Sequence, residues 1–216
     1  MLEKMGTFFD NRVATYDEHQ QRTNACFDEV YPATVRLLPT APGAKVLDLG
    51  CGTGIELEHY YKLNPSADIT GIDLSVGMLN ALKQKFPDKN IRLITGSYFD
   101  VPFEESYYDA AVSAMSLHHF KQSMKIPLYA KICRALKPGC SFVLNDYFTE
   151  NDEAEQERFA NLARLKAEQN INDDEFYHYD TPLTIAHEIE ALRQGGFKDI
   201  EIAFKWDLNV TFKAAK

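Results

Sequence analysis

Long apolar stretches are absent from this chain of 216 residues. No segment approaches the roughly 20 apolar residues that a helix needs to cross a bilayer. Met1 to Asp17 also contains no apolar core of signal-peptide length. We therefore expect a cytoplasmic protein that has no membrane partner.

Cysteine and positive charge are scarce as well. The four cysteines lie far apart, with no CxxC pair and no histidine at metal-ligand spacing, so we expect them to be reduced and buried. Lys and Arg number 23 against 32 Asp and Glu, which gives a formal net charge of −9. Because phosphate contacts need a cationic face, this balance disfavours nucleic acid and the membrane surface as partners. The cysteines are Cys26, Cys51, Cys133 and Cys140.

The chain does have enough apolar sequence for one core, 45% of its residues, and a regular alternation of strand and helix patterns. Such alternation predicts an α/β fold, a Rossmann-like doubly wound and mostly parallel sheet. The predicted strands are 45–49, 68–73, 91–95, 108–113 and 141–146, with helices over 56–63, 75–86 and 124–136. The flanking predictions are a helix over 24–38, a helical insertion over 150–172, an aromatic loop over 173–181, a helix over 184–194, and an antiparallel hairpin of strands 200–204 and 208–212.

The segment Val46-Leu47-Asp48-Leu49-Gly50-Cys51-Gly52-Thr53-Gly54 carries the clearest ligand-binding pattern. Three alternate glycines let the backbone turn sharply and approach a ligand, and the next helix offers unpaired N–H groups. The spacing is not the G-x-G-x-x-G of nicotinamide enzymes, because the last glycine comes one residue early, at Gly54, and Ile55 stands where the third glycine would fall. Asp48, inside the strand, suits a cationic amino-acid ligand better than a pyrophosphate. Ligand binding is therefore favoured over a purely structural turn.

A second carboxylate, Asp73, ends the next predicted strand. At this position it can accept hydrogen bonds from both hydroxyls of a ribose. Met78, one helical turn further, can pack its thioether against an adenine face; by itself it is more typical of a core residue, and only its position relative to Asp73 favours the adenine contact.

With Gly71-Ile72-Asp73-Leu74-Ser75, Leu117-His118-His119-Phe120 and Leu136-Lys137-Pro138-Gly139, this pattern resembles the class I S-adenosylmethionine-dependent methyltransferases. Within that family the chain is most similar to small-molecule enzymes of the ubiquinone and menaquinone type. The resemblance implies a seven-stranded sheet and a single domain over 1–216. Its parts would be an N-terminal lid and helix (1–40), a cofactor-binding core (41–146), a helical insertion or acceptor cap (147–181), and a C-terminal helix and hairpin (182–216).

The resemblance also assigns a cofactor, S-adenosyl-L-methionine, with S-adenosyl-L-homocysteine as its product. The glycine turn and Asp48 would hold the methionine part, Asp73 the ribose, and Leu74 and Met78 the adenine. Gly96-Ser97-Tyr98 stands where relatives often have an acidic residue that meets the adenine amino group. Tyr16 would contact the cofactor from the lid, and Ser113 would pass the methionine tail. The implied cofactor-binding residues are Tyr16, Asp48, Gly50, Cys51, Gly52, Gly54, Asp73, Leu74, Met78, Gly96, Ser97, Tyr98 and Ser113.

The acceptor side offers only two candidates for a catalytic role, His118 and Asp146. Either His118 faces the acceptor as a proton acceptor, or it is a loop histidine that makes a structural hydrogen bond. Likewise Asp146 ends a strand at the ligand-binding edge, or only caps a turn. Adjacent side chains point to different sides of a regular helix or strand, so His118 and His119 do not predict a metal site. We expect no metal.

Two aromatic segments have two interpretations each. The segment around Phe8 and Tyr16 is either a lid over the cofactor or a frayed end. Phe176 to Tyr179 either lines an acceptor pocket or packs beneath the insertion. The resulting hypothesis is an enzyme that moves a methyl group by in-line displacement to an unidentified, small-molecule acceptor, as a monomer or homodimer. The alternatives are a cofactor-binding module without an acceptor and an enzyme similar to tRNA methyltransferases.

Overall fold

The computed structural model describes residues 1–172 and 175–216. Seven strands form one sheet in the order β3-β2-β1-β4-β5-β7-β6. Strands β1 to β5 are parallel, whereas β7 is antiparallel to both β5 and β6, which confirms the predicted fold and hairpin. The strands are β1 (Lys45–Leu49), β2 (Asp68–Asp73), β3 (Ile91–Thr95), β4 (Tyr108–Ala114), β5 (Leu136–Tyr147), β6 (Ile200–Trp206) and β7 (Asn209–Ala215).

The described residues form eight α-helices around this sheet. The N-terminal three are α1 (Met5–Asp10), α2 (Tyr16–Thr23) and α3 (Phe27–Val35). The others are α4 (Ile55–Leu63), α5 (Val76–Lys85), α6 (Gln122–Ala135), α7 (Asp152–Glu168) and α8 (Ile185–Gln194). Single 3₁₀ turns occur at Val13–Thr15 and Leu117–His119.

Apolar residues that alternate along β1 place a core on both faces of the sheet. Leu47 and Leu49 pack into one cluster and Val46 into the other, and all three are fully buried. Helices α6 and α8 contribute buried residues to the first cluster, and α4 and α5 to the second. Because every parallel strand is covered on both sides, loops at the carboxyl ends of the strands are left as the place for a ligand.

Several boundaries differ from the sequence prediction. The predicted helix over 24–38 corresponds to α3, which is shorter at both ends because it runs only from Phe27 to Val35. A separate helix, α2, precedes it and ends at Thr23. Strand β5 begins at Leu136, directly after α6, and includes the Lys137-Pro138-Gly139 turn signal. A bulge between Tyr108 and Ala110 lets β4 pair with both ends of that segment.

Other predictions are corrected in detail or fall partly outside the structure. Cys26 and Cys51 are buried, but Cys133 and Cys140 are half-buried because they lie at the outer ends of α6 and β5; all four are free thiols. The aromatic loop is described from Glu175 onward, and its first two residues, 173 and 174, lie outside the described part of the chain. Within that part, every helix is too short or too polar to span a bilayer.

Candidate active site

The glycine turn after β1 is held against the end of β2. The amides of Gly50 and Cys51 both donate to the carbonyl of Ile72, at 2.8 and 3.2 Å. Gly50 has a φ of +73°, and a Cβ there would lie 2.1 Å from Ser116 Oγ. A side chain at Gly50 would therefore be strained and would also clash with the loop that follows β4.

Asp73, the last residue of β2, is fixed by backbone amides. Its Oδ2 accepts from Gly52 at 2.9 Å and its Oδ1 from Ser75 at 2.8 Å. Burial raises the pKa of Asp73, and the amide hydrogen bonds of Ser75 and Gly52 oppose that rise. Each carboxylate oxygen keeps a free lone pair for a ligand hydroxyl, so the side chain is preset to receive a diol.

A narrow cavity lies above this turn. It is lined by predicted residues from the lid, the glycine turn, the start of α5 and the loop after β3: Tyr16, Gly50, Gly52, Asp73, Leu74, Met78 and Tyr98. It is also lined by Met115 and Ser116, from the segment after Ser113 that the resemblance places along the methionine tail, and by Phe9 of the predicted lid. Met5 and His119 line it too, and neither was predicted as a cofactor contact.

Asp48 lies beneath the turn beside a second acid, Glu56, in the first turn of α4. Both side chains are buried, and one oxygen of each, Asp48 Oδ2 and Glu56 Oε1, has no hydrogen-bond partner within the described protein. Burial first, and then the neighbouring carboxylate of Glu56, raise the pKa of Asp48 well above its usual range. Burial also raises the pKa of Glu56 to about 7. Two buried acids with unpaired oxygens attract a cationic group.

The N-terminal segment covers the cavity as a lid. Asp10 Oδ1 accepts from Ser75 Oγ at 2.6 Å and from the amide of Gly77 at 2.9 Å, which anchors α1 to the start of α5. Asp17, in α2, contacts Thr53 Oγ1 at 2.5 Å and Lys85 Nζ at 2.7 Å. The N-terminal segment is therefore packed against the site and is not a frayed end, and its role as a lid over the cofactor stays a prediction.

A wider cavity of about 820 Å³ opens next to the narrow one. Four residues line both cavities and form the boundary between them: Phe9, Tyr16, Met115 and His119. The wide cavity adds Phe8 and Arg12 from the lid, His118 and Tyr147 from the sheet edge, and His178 and Asp180 from the aromatic loop. His178 therefore lines this cavity, as one of the two interpretations of the loop predicts, whereas Phe176 packs against Phe99 and Phe120, in the loops after β3 and β4.

His118 and Asp146 form a buried pair at the edge of the wide cavity. His118 Nδ1 lies 2.6 Å from Asp146 Oδ1, while Asp146 Oδ2 accepts from the amides of Leu117 and His118 at 2.8 and 2.9 Å. Burial alone would lower the pKa of His118, but the adjacent Asp146 outweighs it and raises that pKa. Burial alone would raise the pKa of Asp146, but the charge of His118 outweighs it and lowers that pKa.

His119 lies beside His118 rather than on the opposite side of the backbone. The two rings are 4.0 Å apart, and each directs a nitrogen towards Asp180 Oδ1, His118 Nε2 at 3.6 Å and His119 Nδ1 at 3.2 Å. Burial lowers the pKa of His119. The argument that adjacent histidines point apart is wrong here, because Leu117–His119 is a single 3₁₀ turn and not a regular helix or strand.

A methyltransferase-domain family model matches residues 46–139. This range contains the glycine turn, Asp73 and the two adjacent histidines, in the order that the sequence pattern predicted. The chain therefore contains a methyltransferase domain, in agreement with the predicted resemblance to the class I S-adenosylmethionine-dependent methyltransferases. The cofactor of this family is S-adenosylmethionine.

Individual relatives of this methyltransferase are distant. The chain is 28% identical to the demethylmenaquinone methyltransferase of Renibacterium salmoninarum, over 62% of each protein. It is 24% identical to the carboxy-S-adenosyl-L-methionine synthase of Campylobacter fetus, over 100% of this chain and 96% of that protein. The fold is shared with human N-acetylserotonin methyltransferase in complex with SAM, with a TM-score of 0.66 and 20% identity over 96% of this chain and 56% of that one. The chain spans about half to three fifths of the length of several curated methyltransferases that it matches.

Six of the predicted cofactor-binding residues of this methyltransferase do not line the narrow cavity. Asp48 lies below the turn, and the Sγ of Cys51 lies where a side chain of Gly71 would be. Ser113 Oγ donates to the carbonyl of Leu49 at 2.9 Å and ties β4 to β1. Ser97 Oγ accepts from the amide of Phe99 at 3.1 Å. Gly54 starts α4 and Gly96 follows β3, both at positive φ.

The residues of the candidate site that sequence reasoning missed are Glu56 and Asp180, whereas His178 lies in the segment Phe176 to Tyr179 that was expected as one possible lining of the acceptor pocket. In the sequence Glu56 has the pattern of an ordinary polar residue on an amphipathic helix. Its burial depends on how α4 packs against the rest of the fold, which the sequence pattern does not indicate. Asp180 and His178 come from a loop that has no periodic pattern, so only the tertiary fold brings them to His118.

Proposed function

We propose that this protein transfers a methyl group from S-adenosylmethionine, by in-line displacement, to a small molecule bound in the wide cavity. The observation that carries the proposal is that the two cavities meet at Phe9, Tyr16, Met115 and His119. A cofactor seated on the glycine turn would direct its reactive methyl towards this boundary. The sulfonium supplies the electrophile, so the chain must align the acceptor and exclude water.

On the cofactor side, Asp73 would accept hydrogen bonds from the ribose hydroxyls, while Leu74, Met78 and Tyr98 would enclose the adenine. Gly50 and Gly52 would contact the methionine part through the backbone. The buried acids Asp48 and Glu56 would attract its ammonium group from below the turn. Cys51, Gly54, Gly96, Ser97 and Ser113 would act mainly by holding the surrounding turns in place.

On the acceptor side, His118 would contact the acceptor and Asp146 would position His118. Asp146 is suited to that role because it binds both the imidazole and the backbone of the same turn. The lid would close the site, with Tyr16 and Phe9 between solvent and the reacting atoms. Closure of this kind removes water that would otherwise compete for the methyl group.

A second candidate is suggested by the full-length match to a carboxy-S-adenosyl-L-methionine synthase. Such a reaction consumes an anionic carboxyl donor, for which a free cation in the wide cavity would be expected. Arg12 is the guanidinium that lines this cavity among the described residues, but it is paired with Glu3 at 2.9 Å and stacked on Phe8. The arrangement therefore favours methyl transfer to an uncharged or weakly charged acceptor.

Calorimetric titration of the purified chain with S-adenosylmethionine and S-adenosylhomocysteine, with NADH as a control, tests the cofactor site. We expect micromolar binding of both sulfur nucleosides and none of NADH. Asp73→Ala should abolish that binding, whereas Asp68→Ala, at the opposite end of the same strand and bonded to Asn90, should preserve it. Binding of NADH, or equal binding by Asp73→Ala, would contradict the proposal.

An acceptor screen then tests the reaction itself. Mass spectrometry of the spent cofactor distinguishes the candidates: S-adenosylhomocysteine indicates methyl transfer, and a heavier carboxylated cofactor indicates the synthase reaction. Binding without turnover on any small-molecule pool would favour the cofactor-binding module. Turnover only with added tRNA would favour the nucleic-acid alternative.

A further inference from the structure

Three side chains in the wide cavity hold potential metal-ligand atoms close together, and one of these atoms, His119 Nδ1, also lies 3.2 Å from the carbonyl oxygen of Tyr179. One ligand atom from each of His118, His119 and Asp180 lies within 4.8 Å of the others. Imidazole nitrogens lie 3.2 and 3.6 Å from Asp180 Oδ1. Ligands bound about 2.1 Å from a shared ion are roughly 3.0 to 3.4 Å apart in octahedral and tetrahedral geometry. The observed nitrogen–oxygen distances of 3.2 and 3.6 Å are therefore close to the separation of two ligand atoms on one metal ion.

Asp180 Oδ1 is buried and accepts no well-formed hydrogen bond from the described protein, although three imidazoles surround it. A buried carboxylate oxygen without a donor is costly unless a cation or a ligand compensates. The third imidazole, His178, lies 3.8 Å away at the mouth of the cavity, stacked on Phe8 of the lid. This orphaned oxygen is a second observation that points to a bound cation.

The tautomer of His118 fits the same interpretation. Asp146 Oδ1 lies 2.6 Å from Nδ1, so this nitrogen carries the proton in the neutral ring and Nε2 presents its lone pair to Asp180. A carboxylate on the far nitrogen is the usual arrangement behind a metal-bound histidine, where it orients the ring and increases its basicity. The backbone amides that hold Asp146 Oδ2 make this support rigid.

We propose that His118, His119 and Asp180 bind one divalent transition-metal ion in the acceptor cavity. Imidazole ligands favour zinc or iron(II) over magnesium or calcium, which prefer oxygen. Three protein ligands leave coordination positions open towards the cavity, as in catalytic rather than structural sites. This proposal departs from the expectation of no metal that was drawn from the sequence alone.

The position of the ion also indicates the acceptor class, an inference that rests on the proposed function. His119 lines both cavities, so an acceptor oxygen bound to the ion would face the cofactor methyl. An ionisable hydroxyl would lose its proton to solvent on binding the ion, because the ion lowers the pKa of a bound oxygen. The oxygen would then form the new bond to carbon as the carbon–sulfur bond breaks and its electron pair returns to sulfur. Phenols and enols are the matching acceptors.

Cobalt(II) alone, added to the tag-free, metal-stripped full chain, is the probe for this site. We expect one equivalent to bind with visible d–d absorption, seen in parallel by calorimetry. His119→Ala and Asp180→Asn should each weaken cobalt binding by at least about tenfold, and Asp146→Asn by about 10- to 100-fold. His187→Ala removes an imidazole that is paired with Glu155 on the outer helices, and it should leave cobalt binding unchanged.

S-adenosylhomocysteine binding by the same samples separates the outcomes. Asp180→Asn that keeps nucleoside binding and loses cobalt supports the metal site. A wild-type chain that binds the nucleoside but not cobalt, or cobalt binding unchanged in both His119→Ala and Asp180→Asn, overturns the metal site and leaves the proposed function intact. A chain that binds cobalt but no sulfur nucleoside upholds the metal site and overturns the proposed function.

Discussion

Two aspartates occupy equivalent places in this sheet and have opposite surroundings. Asp48 is the penultimate residue of β1 and Asp146 the penultimate residue of β5, and each is 1% exposed. Asp48 lies beside another acid, Glu56, and its pKa is raised by burial and by that neighbour. Asp146 is buried too, which by itself would raise its pKa, but the imidazole of His118, the charge of Lys125 and the amide of Tyr147 lower it. The partners, and not burial or the place in the fold, decide the charge of the carboxylate.

This difference divides the site into two halves. On the side of the glycine turn, the buried acids Asp48 and Glu56 have raised pKa values, and one oxygen of each has no hydrogen-bond partner within the described residues. On the side of the wide cavity, the negative charge of Asp146 is already compensated by a group of the protein itself, the imidazole of His118. The first half is completed by the ligand, whereas the second is rigid before any ligand arrives.

Neutralising each aspartate in turn gives the largest expected effects. Asp146→Asn removes the charge that supports His118 and should lower the free energy of unfolding by about 3 kcal/mol, the loss seen when one partner of a buried charged pair is removed. Asp48→Asn replaces a carboxyl whose pKa burial and Glu56 already raise, so the amide removes less favourable charge there and we expect a change within about 1 kcal/mol in either direction. Urea unfolding at pH 7 measures both.

Equal destabilisation by the two asparagine variants would contradict the comparison. It would mean that both aspartates act through packing and hydrogen bonds alone. Circular dichroism before unfolding checks that each variant starts from the native fold.

The pH dependence of stability tests the acid pair directly. The pKa of Glu56 rises from 4.5 to about 7 on folding, so the folded state holds more protons than the unfolded state in this window. The free energy of unfolding should therefore fall as the pH rises from about 4.5 to about 7, by roughly 1 to 3 kcal/mol. Replacing both acids by amides, Asp48→Asn with Glu56→Gln, should remove this slope.

Glu58→Gln is the matched control for that slope. Glu58 lies on the same helix but is half-exposed and paired with Lys85. The variant should keep the wild-type slope. A slope that survives in the double amide variant would place its origin elsewhere in the protein.

The two halves also differed in how far the sequence predicted them. The glycine turn, Asp48 and Asp73 were found because their signals are local: a glycine spacing next to a strand, and an acid at the end of the following strand. Met78 followed from its distance to Asp73, and Leu74 from the family resemblance. These contacts depend on the parallel register of β1 and β2, which the strand patterns already imply.

On the side of the wide cavity, the sequence could indicate individual residues but not which of them contact one another. His118 and Asp146 were both candidates, but their contact needs the register of β4 against β5 and the turn after β4. Asp180 comes from an irregular loop, and the direction of His119 depends on a 3₁₀ turn. No periodicity encodes such contacts, because their partners are distant in the chain.

Proton release on cofactor binding would sharpen the comparison further, if the acid pair contacts the cofactor ammonium. The ammonium favours the ionised pair, so binding near pH 6.5 should release about one proton. Calorimetry of S-adenosylhomocysteine binding in two buffers with different ionisation enthalpies measures this number. The double amide variant should release none. A wild-type chain that also releases none would place the ammonium away from Asp48 and Glu56.

An exposed counterpart of the buried imidazole–carboxylate pair gives the smallest expected effect. His187 Nδ1 lies 2.9 Å from Glu155, but the imidazole is 40% exposed, so solvent screens the interaction. The hydrogen bond to Glu155 raises the pKa of His187. Its stabilisation, about 0.5 kcal/mol for an exposed pair, is therefore complete below pH 6.5 and is lost as the pH rises through the raised pKa. His187→Gln should be less stable than the wild type by that amount at pH 6 and equally stable at pH 9. The same difference at both values would show that the ring acts by packing and not by charge, and burial would then not be what separates this pair from His118 and Asp146.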